Sequence, residues 1–307
     1  MTAPLRTEQY AMFELGLTGT NEGNPYADVN LEADFIHVSS GRKITVGGFY
    51  RGNGTYAVRF MPTDAGNWSY TTRSNDVELN GITGQLTACP AGKDNHGRVL
   101  RATDVLKGKD RELYGSELAY RFCYEDGTPY QPYGTTCYAW TNQAPEVQDR
   151  TIETLKTAPF NKIRMCVFPK FYDFNNTDPE LFAYEGSMEE GFDHSRFNEA
   201  FFKNLDYRIA QLTELGIEAD IILLHPYDKP KWGFSKMTKA EDEFYLTYMA
   251  RRYGAYRNVW WSLANEYDLL PNKSLEDWRD YARVIMANDA FGHLRSIHNC
   301  IPIYDYN

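Results

Sequence analysis

The sequence has 307 residues, is 42% hydrophobic and 24% charged, and carries a formal net charge of −10. That length admits two domains or one large α/β domain, and the composition is that of an ordinary globular chain. The acidic balance argues against a phosphate-binding surface, which needs clustered Lys and Arg, so nucleic acid is not an expected partner.

No apolar run approaches the ~18 residues of a membrane helix, so no membrane partner is expected. The first ten residues are polar, with Arg6 and Glu8, and lack the apolar stretch of a secretory leader. Cys89, Cys123, Cys137, Cys166 and Cys300 are widely spaced and form no CxxC. Zinc and redox motifs are therefore not expected, and the usage fits a reducing cytoplasm.

In chain order, residues 10–17, 29–38, 43–50, 55–61 and 67–73 read as short strands separated by Gly, Asn, Asp and Pro. Gly52-Asn53-Gly54 is a hairpin turn. Tyr56, Val58 and Phe60 alternate onto one face. Strands at this spacing predict an N-terminal β-sandwich of immunoglobulin-like type. The polar stretch 90–98 marks a boundary, giving a sandwich over 1–97 and a second domain over 98–307. A hairpin turning at Glu125-Asp126-Gly127-Thr128 then leads into the first strand of that domain, 133–138.

Beyond residue 135 the pattern changes. Apolar runs at 162–168, 219–224, 259–264 and 295–300 read as strands, with helices between them. Phe197, Phe201, Leu205, Ile209 and Leu212 form a helical stripe stopped by Gly216. Residues 239–253 predict another helix, and Ser274 caps one running through Met286. Strand–helix alternation predicts a parallel α/β domain. No internal repeat is present.

Polar residues gather where each of these strands ends. The first ends in Thr135, Thr136, Tyr138 and Trp140. The second carries Arg164 in line with Cys166 and Phe168, then Lys170. The third ends in His225-Pro226-Tyr227-Asp228, the fourth in Asn265-Glu266-Tyr267-Asp268, the fifth in His298-Asn299. Alternation along 259–264 puts Ser262 and Ala264 on one face with Glu266, and Trp261 and Leu263 on the other. Convergence of polar groups at one end of parallel strands is the layout of a barrel active site. A Glu can protonate a leaving oxygen and then activate water, while an adjacent Asn holds a sugar hydroxyl. Arg164, His225 and His298 can orient further hydroxyls. Tyr138, Trp140, Trp232 and Tyr267 are candidate sugar contacts in a chain with 23 Tyr, 17 Phe and 6 Trp.

The loops 169–192 and 226–238 carry Phe171, Tyr172, Phe174, Phe182 and Tyr184, and Tyr227, Trp232 and Phe234. They either wall a sugar site or anchor their own loops. His225, Asp228, Glu266 and His298 form a rival metal-ligand set, but no HExxH pairing supports it. No metal or other cofactor is expected.

The run Trp260-Trp261-Ser262-Leu263-Ala264-Asn265-Glu266-Tyr267-Asp268 resembles the acid/base strand of clan A glycoside hydrolases, whose Asn-Glu pair ends strand four of a (β/α)8 barrel. Met12-Phe-Glu-Leu, Gly47-Gly-Phe-Tyr, Gly66-Asn-Trp, Gly134-Thr-Thr, Ile163-Arg-Met-Cys-Val-Phe-Pro-Lys and His293-Leu-Arg-Ser-Ile-His-Asn-Cys make the similarity closer to a bacterial group of apiosidase-like glycosidases. That group carries an N-terminal β-sandwich domain of unknown function. The resemblance implies a retaining glycoside hydrolase of a TIM-type barrel acting on a carbohydrate substrate. Glu266 would be the acid/base and Asn265 a substrate ligand, with Arg164, His225 and His298 lining the pocket.

The family's nucleophile is a Glu after strand seven, whereas this sequence stops past strand five. Asp173, Asp228 and Asp305 are available carboxylates, and nothing in the sequence sets them across a sugar from Glu266. The expectation is an incomplete barrel belonging to a longer enzyme, or one completed by another chain. A non-catalytic carbohydrate-binding or structural role is the alternative. The sequence is compatible with a homo-oligomer and does not specify one.

Overall fold

A computed structural model describes residues 5–108, 112, 115–173, 175, 177–228 and 231–300. Contacts divide the chain into two compact units. The first holds Met1–Pro132, Tyr248–Asn258 and Met286–Leu294; the second holds Tyr133–Thr247, Val259–Ile285 and Arg295–Asn307.

In the first unit lie β1 (Leu5–Glu8), β2 (Phe13–Thr18), β3 (Leu31–His37), β4 (Lys43–Tyr50), β5 (Thr55–Phe60), β6 (Gly66–Ser74) and β7 (Thr83–Cys89). They form a 7-stranded sheet in the order β1-β7-β6-β3-β4-β5-β2. One half of β4 pairs with β3 and the other with β5, so β4 passes between two strand sets. The change of partner falls at Gly47 and Gly48. A Cβ on Gly48 would lie 2.5 Å from the Leu31 side chain, so only glycine fits there. Phe35 of β3 stacks on Phe60 of β5 with centroids 3.9 Å apart, closing the sheet over a shared core with Trp68 and Leu86.

The Gly52-Asn53-Gly54 turn is present, with all three residues at positive φ. In β5 the expected one-sided alternation is replaced by burial of both faces. Arg59, on the second face, is buried with its Nε donating to Glu14 at 2.8 Å. Strands β1 and β7 were not legible, because their side chains are mixed and backbone pairing holds them in place. A 3-stranded antiparallel sheet of β8 (Val99–Arg101), β9 (Phe122–Tyr124) and β10 (Pro129–Tyr130) belongs to the same unit and contains the expected 125–128 turn.

In the second unit β11 (Gly134–Thr136), β12 (Lys162–Cys166), β15 (Glu218–Leu224), β16 (Val259–Ala264) and β17 (Arg295–Ser296) form a 5-stranded sheet in sequential order. The hairpin β13 (Tyr184–Ser187) and β14 (Gly191–Phe197) lies within the segment expected to be a loop. Every pairing in the 5-stranded sheet is parallel, which makes it barrel-like. The helices α1 (Pro145–Leu155), α2 (Glu199–Glu214), α3 (Lys239–Tyr253) and α4 (Leu275–Asn288) connect the strands.

These helices begin and end where the chain chemistry dictates. Pro145 opens α1, where a missing N–H costs nothing. The Asn198 side chain accepts from Ala200 N at 3.1 Å to cap α2. Of the expected stripe, Phe201, Leu205, Ile209 and Leu212 are buried on α2, whereas Phe197 ends strand β14, before the Asn198 cap, and is not helical; Gly216 follows at φ +68°. Ser274 and Asp277 exchange hydrogen bonds across the first turn of α4. Strand β17 is shorter than the expected 295–300, since its residues are exposed rather than packed. No described helix is long and apolar enough to cross a membrane.

Candidate active site

Because the pairings are parallel, every strand of the 5-stranded sheet ends on the same side. Backbone bonds extend the ladder past the formal strand ends. Cys166 N donates to Tyr138 O at 3.0 Å, Asn265 N to Leu224 O at 3.1 Å, and His298 N to Ala264 O at 3.0 Å. The residues beyond Thr136, Cys166, Leu224, Ala264 and Ser296 are thereby held side by side.

Asn265 and Glu266 follow β16, the fourth of the five strands, between the ends of β15 and β17. Asn265 is buried and donates from Nδ2 to the Tyr227 hydroxyl, while its Oδ1 accepts a long bond of 3.5 Å from the Tyr138 hydroxyl. Glu266 is half-buried and takes φ 54°, ψ 53°, a left-handed conformation that side chains other than Gly, Asn and Asp rarely adopt. Its carbonyl accepts from Leu269 N at 3.0 Å as the chain turns out of β16. Residues in such strained conformations cluster at functional sites.

Tyr227 links the amide and the carboxylate. Burial, then a hydrogen bond with the Glu266 carboxylate, pushes its phenol well above the usual range. The hydroxyl is therefore a neutral group shared between Asn265 and Glu266. His225 fixes its place. The His225 ring stacks on Tyr227 at 5.2 Å, its Nδ1 accepts from Tyr227 N at 3.2 Å, and its Nε2 donates to Phe168 O at 3.0 Å. With both ring nitrogens engaged and the side chain buried, His225 is held neutral, its pKa lowered by burial.

Lys170 completes the cluster. Its Nζ lies 4.1 Å from the Tyr227 ring centroid and 4.3 Å from that of Tyr138. Those two rings lie nearly parallel, 6.5 Å apart with 19° between planes.

Other predicted residues are placed differently. Arg164 sits on β12 with Nη2 donating to Ser262 Oγ at 3.1 Å and Nε 3.4 Å from Asp220. Trp140 is buried and donates to the Gln148 carbonyl at 3.0 Å. Trp232 is buried against Phe171 and Phe182 and donates to Asp178 at 2.9 Å. Tyr184 and Phe234 are likewise buried, 5.9 Å apart between ring centroids. Tyr267 packs edge-on to Trp278, and its N–H donates to His298 O at 3.0 Å, while the His298 side chain is exposed. Phe174 and Asp305 lie outside the described residues.

The carboxylate Asp228 is fully buried, and its Oδ2 accepts from Ser235 N at 2.7 Å. Among the described residues no group of three or more His, Cys, Asp or Glu comes together as metal ligands do. The rival set of His225, Asp228, Glu266 and His298 is not assembled.

Residues 116–305 match the family described as apiosidase-like, catalytic domain. The chain belongs to the apiosidase-like family. Residues 6–75 of this apiosidase-like chain match a domain of unknown function, DUF5060. It is similar to a candidate glycoside hydrolase of known structure from Bacteroides vulgatus, 41% identical with a TM-score of 0.89. That match covers 98% of this chain and 57% of the other, so the apiosidase-like chain spans little more than half of that relative's length. An endo-1,4-beta-mannanase from Rhizomucor miehei is 15% identical over 61% of this chain and 62% of its own, with a TM-score of 0.44. No curated protein matches the chain.

Sequence reasoning placed Tyr227 among loop aromatics and left Lys170 unassigned. The signal for both was their position directly after strands β15 and β12, beside the Asn-Glu pair.

Proposed function

We propose that the chain carries the acid/base half of a retaining O-glycosyl hydrolase, with Glu266 as general acid/base and Asn265 as the ligand of a substrate hydroxyl. The observation that carries this reading is the Asn265–Tyr227–Glu266 hydrogen-bonded set at the C-terminal side of a parallel, barrel-like sheet. A carboxylate at such a strand end is where barrel enzymes keep catalytic groups. Its Asn neighbour and the family membership add support for a carbohydrate substrate.

In the same reading β11, β12, β15, β16 and β17 are the first strands of a (β/α)8 barrel, preceded by an immunoglobulin-like sandwich. The sequential parallel order and the Phe35–Phe60 stack support it. Tyr138 and Tyr267 are half-buried and His298 is exposed, so all three remain available to a sugar. Arg164 supports the inner face through Asp220 and Ser262. His225 positions Tyr227 rather than touching substrate.

Retention requires a second carboxylate about 5–5.5 Å from the first. Asp228 is buried and engaged with Ser235, which removes it from that role. This observation favours a second reading, in which these 307 residues bind glycans without cleaving them. Aryl glycosides offered to the wild type and to Glu266→Gln separate the two. Turnover lost in the variant supports the hydrolase; equal background rates with sugar binding retained support the binding protein.

A further inference from the structure

An open cavity of about 200 Å³ lies between the β9–β10 hairpin and the short helix Ala102–Val105. Its described lining runs from Ala102 to Pro132, so the cavity belongs to the first unit. It shares no residue with the Asn265–Glu266 row of the second unit. The inner part is apolar, with Ala102, Cys123 and Tyr130 buried there. The exposed part is polar and aromatic, formed by Tyr120, Arg121 and Gln131. The Tyr120 side chain is 87% exposed, so its ring is at the cavity without being part of any core.

This lining carries no unbalanced charge. Arg121 is its single basic group among the described residues, and its Nη2 donates to the Glu117 carboxylate at 2.8 Å. Burial pushes the Cys123 thiol up and keeps it neutral. An ionic ligand would find nothing to compensate it. Volume sets a second limit, since drug-sized molecules occupy pockets of about 300–1,000 Å³ and this one has room for a single ring. A wholly apolar ring would fill the inner part but cover the Arg121 and Gln131 groups without bonding them, which is unfavourable. A pyranose has apolar C–H faces within a rim of hydroxyls. Its faces suit the Tyr120 and Tyr130 rings, and its hydroxyls suit an amide that both donates and accepts and a guanidinium fork.

We propose that this cavity is a second carbohydrate site, which takes one neutral pyranose unit of a glycan independently of Glu266. The site goes beyond the hydrolase reading and would hold equally for a chain that cleaves nothing.

Amide NMR spectra of the whole chain test it. The ligands are methyl β-D-glucopyranoside, methyl β-D-galactopyranoside and, as an apolar ring of similar size, cyclohexanol. The Ala102, Phe122 and Gly127 amides should shift with a glycoside, with a Kd on the order of 1–10 mM for a ligand of about a dozen heavy atoms. Cyclohexanol should shift them less. Tyr120→Ala and Gln131→Leu, both at exposed positions, should each weaken binding about fivefold. Tyr207→Ala, at another exposed ring, and Glu266→Gln should leave it unchanged. Amides that stay still with both glycosides, or that respond equally to cyclohexanol, overturn the site whatever the variants do. Undiminished binding in either folded cavity variant also overturns it, as does loss of binding in Tyr207→Ala or Glu266→Gln. Turnover lost in Glu266→Gln bears only on the hydrolase reading, so the two can fail separately.

Discussion

His225 Nε2 and the carbonyl oxygen of Phe168 lie 3.0 Å apart, joining the residues that follow two neighbouring strands, β15 and β12. The same ring accepts from Tyr227 N on its other side. The pair of bonds needs a neutral imidazole with its proton on Nε2, and burial lowers the pKa accordingly. A His whose folded pKa lies below the unfolded value binds fewer protons when folded. Its contribution to stability is thus present above the unfolded pKa of about 6.5 and is lost as pH falls below it. His225→Gln keeps an amide donor and does not titrate. Thermal melts from pH 7 to pH 5 should show the wild type losing stability relative to this variant. A constant difference would mean that the ring is not held neutral.

Glu266 sits in the left-handed region, where an L side chain carries a steric cost of about 1–2 kcal/mol. Glycine carries no such cost there. Glu266→Gly should therefore be more stable than Glu266→Ala by about 1 kcal/mol, although neither has a carboxylate. Chemical denaturation of both proteins measures the gap. Equal stabilities would show that the turn relaxes on losing the side chain.

The parts of the fold that show periodicity were readable in the sequence, and the parts held by backbone pairing or by distant side chains were not. The α2 stripe Phe201, Leu205, Ile209 and Leu212 is buried as its spacing requires. The hairpin β13–β14 was missed because Tyr184 and Phe197 face a cluster of aromatics from other loops, a contact that no local pattern encodes. At the site, the Asn265–Glu266 pair was readable as a polar ending on an apolar strand. The role of His225 was not, because its partners Phe168 O and Tyr227 N are backbone atoms. Lys170 was noted at the end of β12 but given no role, for a related reason. A lysine after a strand reads as solvated until the rings on either side of it are known.

Tyr227 shares its hydroxyl between Asn265 and Glu266. Tyr227→Phe keeps the ring, and with it the stack on His225 and the face toward Lys170, and removes only the shared oxygen. If the hydrolase reading holds, kcat should fall about 10–100-fold with little change in KM, since a group that orients the acid/base acts in the transition state more than in binding. Steady-state kinetics on an aryl glycoside gives the split. A change confined to KM would make Tyr227 a substrate ligand only.

Away from the site, Asp242 is fully buried in the second unit. Its Oδ2 is bound by the Lys273 ammonium and by the Tyr281 hydroxyl at 2.5 Å. Lys273 also donates to the Met237 carbonyl at 3.1 Å, so its charge is shared with a backbone dipole. Burial outweighs the pull of Lys273 and pushes the Asp242 carboxyl from 3.8 up to about 6. The folded state therefore holds this proton more tightly than the unfolded chain does. Stability from this group is fully present below the unfolded value of 3.8 and is lost as pH rises through about 6. At ~1.4 kcal/mol per pKa unit, the change across that window is about 3 kcal/mol. Asp242→Asn mimics the neutral acid and does not titrate. Urea unfolding of both proteins at intervals from pH 4 to pH 7 should show the wild type losing ground to the variant as pH rises. If instead the wild type gains on the variant, Lys273 holds the carboxylate ionised, and the buried pair is a net source of stability at neutral pH.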